Sequence, residues 1–198
     1  LIHLHQTLGI DRVVFTQPSV YGVDNSAILK GMNVLNEKIP NKARGVCAIK
    51  MDASENFLQE LHEQGIRGVR LNLDNKGGMP LELKEISKLE DKIKGLGWHL
   101  EYLFPGKDIV ELEPVLSNAS VPISIGHFAY QPATAGINSD GFKTLLKLLT
   151  IKKMKLSLIS YQNFSLKFHN QKIWSYFNTF IKLQKHMKLI AIIHYLCR

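Results

Sequence analysis

Cysteine is scarce in this chain: Cys47 and Cys197 are the only two among 198 residues. Two thiols supply neither a disulfide framework nor the paired spacing of a zinc site, and they make a reducing compartment, the cytoplasm, the expected one. Long apolar runs are missing too. None approaches the ~18 residues that a membrane span takes, and no secretory leader pattern opens the chain. The first residue is Leu rather than Met, so a segment upstream of it is expected to be missing. Acid is absent from the last 48 residues, which hold 9 of the 25 Lys and Arg; all 17 acidic residues lie in the first 150. The net charge of +8 therefore belongs to the tail. A pI of 9.4 would ordinarily point to nucleic acid. The body is nearly neutral and the tail lacks Arg or Gly richness, so no nucleic-acid partner is expected.

What the chain has is alternation. Strand-like segments fall at Arg12–Gln17, Arg44–Ile49, Gly68–Leu73, Trp98–Phe104, Pro122–His127 and Lys155–Ser160. Helix-like segments fill the gaps: Ser26–Asn36, Ser54–Gln64, Leu81–Gly95, Asp108–Leu116 and Asp140–Leu149. Ser54 is an N-cap candidate before Phe57, Leu58 and Leu61 at helical spacing, and Gly65 is the stop. With 45% hydrophobic residues, one domain of parallel strands and crossover helices is the expectation.

The strands differ on their two faces. In Gly68–Leu73, Val69, Leu71 and Leu73 share one side while Gly68, Arg70 and Asn72 share the other, because side chains alternate along a strand. An open doubly wound sheet is apolar on both faces. A polar inner face favours a barrel, here a partial (β/α)8 barrel of about six βα units. From Leu166 onward Gly and Pro vanish, and Tyr176, Phe180, Leu183, Met187 and Ile190 fall at helical spacing. The reading is a barrel piece over residues 1–165 and a basic, helical tail over 166–198.

Ligands of parallel α/β folds bind at the C-terminal strand ends. Those ends carry Gln17, Ser19, Tyr21, Arg70 and Asn72, groups that suit an oxygen-rich or anionic small molecule. An arginine at a strand centre needs a partner, since a buried unpaired charge is costly. That partner is either a ligand carboxylate or an internal acid such as Glu101. His127 stands at a strand end with no second histidine or carboxylate near it in sequence. His3-Leu4-His5 has the look of a metal pair, but it reads as the helix before the Gly9 turn.

The segments LGIDRVVFTQPSVYGVDNSAIL, ARGV, LHEQGIRGVRLNL, LGWHLEYLF, GHFAYQP, GFKTLLKLL and KLSLISYQNFS together resemble the amidohydrolase-related family, in its 2-pyrone-4,6-dicarboxylate hydrolase-like branch. The resemblance covers roughly residues 6–165. It implies a (β/α)8 barrel and a hydrolase that opens a lactone ring of a small carboxylated substrate, with decarboxylases and metal-dependent hydrolases among its relatives. Carried over, it implies substrate binding by Arg70, Tyr102 and Lys76, rim contacts from Gln17, Ser19 and Tyr21, and His127 as the catalytic histidine that polarises the carbonyl or holds a metal; Asn72 joins the binding set from its place on the Arg70 face.

Departures from the family pattern set limits on this. The family's His-x-His strand has no counterpart, Gly126 stands where an Asp is usual, and Tyr161-Gln162 replaces Tyr-Arg. No segment resembles the last strand with its water-activating aspartate. Both barrel ends are therefore expected to be missing, with weak or no activity in this chain. No cofactor is expected in it, a divalent metal being open only to the complete family enzyme. The alternatives are a non-catalytic remnant that binds a ligand or partner, a decarboxylase, or a basic-tail adaptor. Exposed sheet edges leave an oligomer open.

Overall fold

The computed structural model describes residues 2–7, 9–74, 82–132, 135–151, 154–156 and 192–193. Helices and strands alternate: α1 (Ile2–Thr7), β1 (Val13–Thr16), α2 (Ser26–Lys38), β2 (Ala43–Cys47), α3 (Glu55–Glu63), β3 (Ile66–Asn72), α4 (Ile86–Lys94), β4 (His99–Leu103), α5 (Ile109–Ser117), β5 (Ile123–Ile125), α6 (Asp140–Leu149), β6 (Met154–Leu156) and β7 (Ile192–Ile193). All strands are parallel in one curled sheet of order β6-β5-β4-β3-β2-β1-β7. The six expected strands are present, the sixth as Met154–Leu156, since 157–160 lie outside the described residues. A seventh strand comes from the segment expected as a helical tail: Ile192 and Ile193 pair with Val14 and Phe15 of β1. Two adjacent β-branched residues suit extended backbone, and the outer side of β1 offers pairing groups. The helical spacing from Tyr176 to Ile190, Tyr161-Gln162 and Lys76 lie outside the described residues.

Local chemistry sets the element boundaries. Ser54 caps α3 by accepting a hydrogen bond from the Phe57 N–H at 3.2 Å, and α3 buries Leu58 and Leu61. Gly65, at φ +98°, turns the chain from α3 into β3. Ser139 caps α6 in the same way through the Phe142 N–H at 3.3 Å.

The two faces of the sheet are sorted by chemistry. Phe15, Cys47, Val69, Leu71, Leu100, Tyr102, Ile123 and Ile125 are buried on the face that meets the helices. Full burial of such side chains is worth ~1.5–3 kcal/mol each. A β-bulge between β2 and β3 keeps the other face polar. Gly45 pairs with Ile66 while Val46 pairs with Gly68, so Arg67 is skipped. Ile66 faces the helices, its Cδ1 only 2.5 Å from where a Cβ on Gly45 would sit beside Met32. The extra residue reverses the alternation, so Gly68, Arg70 and Asn72 face inward.

One buried amide ties α2 to the sheet. Asn25 donates through Nδ2 to the Ala48 carbonyl at 2.7 Å and accepts the Ala48 N–H through Oδ1 at 3.0 Å. It occupies the N-cap position of α2 without making a side-chain cap bond. The neighbouring exposed Asp24 instead accepts the Ser26 N–H at 3.0 Å. Asn25→Ala strands both Ala48 groups, and is expected to destabilise by ~1–3 kcal/mol. Asp24→Ala, which removes one exposed acceptor, is expected to cost clearly less. Urea denaturation of the two variants checks the difference.

Candidate functional site

Arg70 lies on β3 with 6% of its surface exposed. Its Nη1 donates to the Gln17 main-chain carbonyl at 3.1 Å, and its Nε is 3.5 Å from Glu101 Oε1. The second contact is an ion pair rather than a well-formed hydrogen bond. It follows from register: Arg70 pairs with Glu101 on β4, and Glu101 with Ser124 on β5, so the three share one face. Glu101 is 1% exposed, and no described residue donates a hydrogen bond to either carboxylate oxygen. Burial therefore pushes its carboxyl above the usual range, and the Arg70 charge offsets only part of that.

Asn72, two residues along β3, donates through Nδ2 to Ser19 Oγ at 2.7 Å and accepts the Asp74 N–H at 3.1 Å. This joins the ends of β1 and β3. Gln17 takes part through its main chain. Its side chain turns away and donates to the carbonyls of Gly22 at 3.1 Å and Asp24 at 2.6 Å, fixing the loop before α2.

His127 follows β5 in a turn of left-handed backbone, with φ of 50° at His127, 53° at Ala129 and 46° at Tyr130. For residues with a side chain this conformation costs roughly 1–2 kcal/mol each. Such strain persists where surrounding contacts over-determine it, and it collects at functional sites. Here Gln131 Nε2 donates to the Gly106 carbonyl at 2.9 Å and to the Ala129 carbonyl at 3.2 Å. Gly106 is packed so closely that a Cβ would sit 2.3 Å from the Tyr130 carbonyl oxygen. The His127 and Tyr130 rings lie 5.0 Å apart. Burial first, and the Arg70 charge second, push the His127 imidazole down to about 4. It is neutral at neutral pH and carries a single ring N–H.

The structure thus brings together Arg70, Asn72, Ser19 and the Gln17 carbonyl, with His127 within reach of the Arg70 charge. It does not bring Tyr102. That residue pairs with Leu71 rather than Arg70, so it faces the helices, where burial and the Glu90 carboxylate of α4 push its phenol well up. The residue facing the site from β4 is Glu101, next door in sequence. Tyr21, 38% exposed, lines a different, mainly apolar groove between α1 and α2 with Ile2, His3, Phe15 and Val34. His3 and His5 lie on α1, as the sequence predicts.

A divalent metal does not fit the described site. Among the described residues no three His, Cys, Asp or Glu side chains cluster at ligand spacing. His127 sits close enough to Arg70 to feel its charge, and a fixed cation there opposes a second one.

Residues 3–182 match the amidohydrolase family. The chain belongs to that family. It is 30% identical over 149 residues to the 2-pyrone-4,6-dicarboxylate hydrolase of Comamonas testosteroni, covering 75% of this chain and 48% of that protein. To the 4-sulfomuconolactone hydrolase of Rhizobium radiobacter it is 27% identical over 156 residues, covering 78% and 51%. It spans about half the length of these curated relatives. A crystal structure of a probable 2-pyrone-4,6-dicarboxylic acid hydrolase from Acinetobacter baumannii, with citric acid bound, superposes at a TM-score of 0.78 and 24% identity over 98% of this chain and 72% of that one. The amidohydrolase fold thus accounts for nearly all of the architecture here.

The depressed His127 value carries a sign. The unfolded imidazole titrates near ~6.5 and the folded one at about 4. Between those values the unfolded chain binds more protons, so the contribution of neutral His127 to stability is complete above ~6.5 and is lost as pH falls toward about 4. NMR titration is expected to show one histidine staying neutral to about 4. In His127→Gln that signal should vanish and the loss of stability between about pH 6.5 and pH 4 should become shallower.

Proposed function

We propose that this amidohydrolase chain carries the carboxylate-binding part of a lactone-hydrolase site for a small carboxylated molecule. The observation that supports it most is the buried Arg70 guanidinium at the C-terminal strand ends, incompletely paired with Glu101 and next to a neutral His127 in a strained turn. The lactone hydrolases among its relatives give that arrangement its chemical class. A planar guanidinium pairs bidentately with a carboxylate, and the neutral imidazole N–H can donate to a ring carbonyl. Water would then add to the carbonyl carbon, the ring C–O bond would break, and a carboxylic acid and a hydroxyl would form. Asn72 and Ser19 supply polar rim groups, and Lys76 and Gln17 belong to the same proposal, Gln17 through its carbonyl.

The weak step is activation of the water. A general base must stand within hydrogen-bond reach of it. No acidic residue follows Asp140 in the sequence, so the family's aspartate on its last strand has no counterpart here, and Glu101 is engaged with Arg70. The chain by itself is therefore read as a binding unit with slow or no turnover. The described sheet ends in β6 and β7, and pairing at such edges is a route to self-association. The cytoplasm suits a buried, unpaired Cys47.

Calorimetric titration with small dicarboxylates tests the reading. Loss of a charge-assisted contact worth about 1.5–3 kcal/mol should weaken binding roughly tenfold to hundredfold in Arg70→Ala. A lactone-opening assay of the same proteins should give turnover far below that of ordinary enzymes, which run at about 1–1,000 per second. Equal binding by wild type and Arg70→Ala would overturn the site. Ordinary turnover abolished by that substitution would show that the chain holds its own base.

A further inference from the structure

We propose that Glu101 is a specificity-determining residue of the Arg70 subsite: it holds the guanidinium while the site is open, and takes up one proton from solvent when a ligand carboxylate displaces it. This rests on the carboxylate-binding reading above and adds which protonation state of the site the ligand meets.

The argument begins with geometry. Glu101 and Arg70 are direct neighbours across β3 and β4, and both are almost fully buried. The pair is loose. Its closest approach is 3.5 Å, from Nε. Nη1 is spent on the Gln17 carbonyl at 3.1 Å, and neither Glu101 oxygen accepts a hydrogen bond from a described residue. Among the described residues, a carboxylate buried in this way has one cation beside it. If a ligand brings a second carboxylate to that guanidinium, one positive charge faces two negative ones in a site of low dielectric. Two like charges so placed do not both stay ionised, and the more desolvated one takes a proton. Glu101 is the more desolvated, since the ligand enters from water.

The neighbouring groups leave Glu101 as the acceptor. His99, on its own strand, is turned to the Arg67 carbonyl at 2.8 Å. His127, beyond β5, already feels the Arg70 charge, which opposes its protonation. From β5 the facing residue is Ser124, which does not titrate, and Ser124 pairs in register with Lys155 of β6. The burial that raises the Glu101 carboxyl in the open site favours the same outcome. The site then takes a carboxylate together with one proton and stays electrically balanced. It discriminates against ligands presented at higher pH, where the proton is scarce.

Calorimetry on the full chain tests this with fumarate, a dianion across the range used. Titrations at about pH 6, 7 and 8, each in two buffers of different ionisation enthalpy, count the protons taken up. Wild type should take up close to one proton per fumarate, with affinity falling about tenfold per pH unit as pH rises. Infrared difference spectra of wild type should gain a protonated-carboxyl band on binding. Glu101→Gln should bind fumarate with no proton uptake, little pH dependence, and higher affinity than wild type at the upper pH. Fumarate binding by wild type without proton uptake or the infrared band would overturn the inference and leave the carboxylate site standing. Proton uptake that persists in Glu101→Gln would also overturn it, assigning the proton elsewhere. Absence of fumarate binding at every pH would overturn the carboxylate-site reading, and the inference with it.

Discussion

The constraint on which the rest of the site depends is a guanidinium charge held inside a protein. Moving an ion out of water into a protein interior costs several kcal/mol even after relaxation. Arg70 is 6% exposed, so the surroundings must compensate. They do so with a main-chain carbonyl from the end of β1 and a carboxylate from β4. Those contacts fix more than the arginine. The Gln17 carbonyl faces Arg70 only if the loop after β1 runs back toward α2, and the Gln17 side chain enforces that course by bonding the Gly22 and Asp24 carbonyls. Glu101 meets Arg70 only if β3 and β4 lie in one register. The charge thus locks three strand ends into a single arrangement.

That arrangement depends in turn on one skipped residue. Without the bulge at Arg67, an inward Arg70 would require an inward Ile66, and the hydrophobic contact of Ile66 beside Gly45 and Met32 would be lost. With the bulge, the strand begins apolar toward the helices and ends polar toward the interior. Gly68 completes the accommodation. A Cβ there would fall 2.5 Å from the His99 ring, so the absence of a side chain lets the histidine lie beside the strand. Stability and site are therefore built from the same seven residues, Ile66–Asn72, on opposite faces.

Much of this was legible in the sequence because it rests on local patterns. Apolar runs following Gly9 and Gly65 marked the strands, and the period of two placed Arg70 and Asn72 together. What was not legible rests on register between strands. Glu101 and Tyr102 are adjacent, so one faces the site and the other the helices. The sequence alone does not say which, and resemblance favoured the tyrosine. Arg70 lies directly opposite Glu101, and that pairing decides it. The left-handed positions themselves, His127, Ala129 and Tyr130, hold no glycine, so no residue type announced them. The nearest signal was Gly106, far along the chain, whose missing side chain makes room for Tyr130. The pairing of Ile192 and Ile193 with β1 spans nearly the whole chain and had no local signature.

The site's charges fit together through dielectric rather than distance alone. Burial works against every ion here: it lowers the imidazole of His127 and raises the carboxyl of Glu101. Arg70 opposes a charge on the first and supports one on the second. The result is a neutral imidazole within reach of the charge of a cation whose internal partner is poorly bonded. A tighter Arg70–Glu101 pair, with both carboxylate oxygens satisfied, would be more stable and would leave the guanidinium less free to meet a ligand. A site without Glu101 would leave a buried cation to its single carbonyl contact. The loose pair lies between these extremes. It compensates the buried charge without satisfying it fully, and on the proposed reading that is what lets a ligand acceptor compete for the guanidinium.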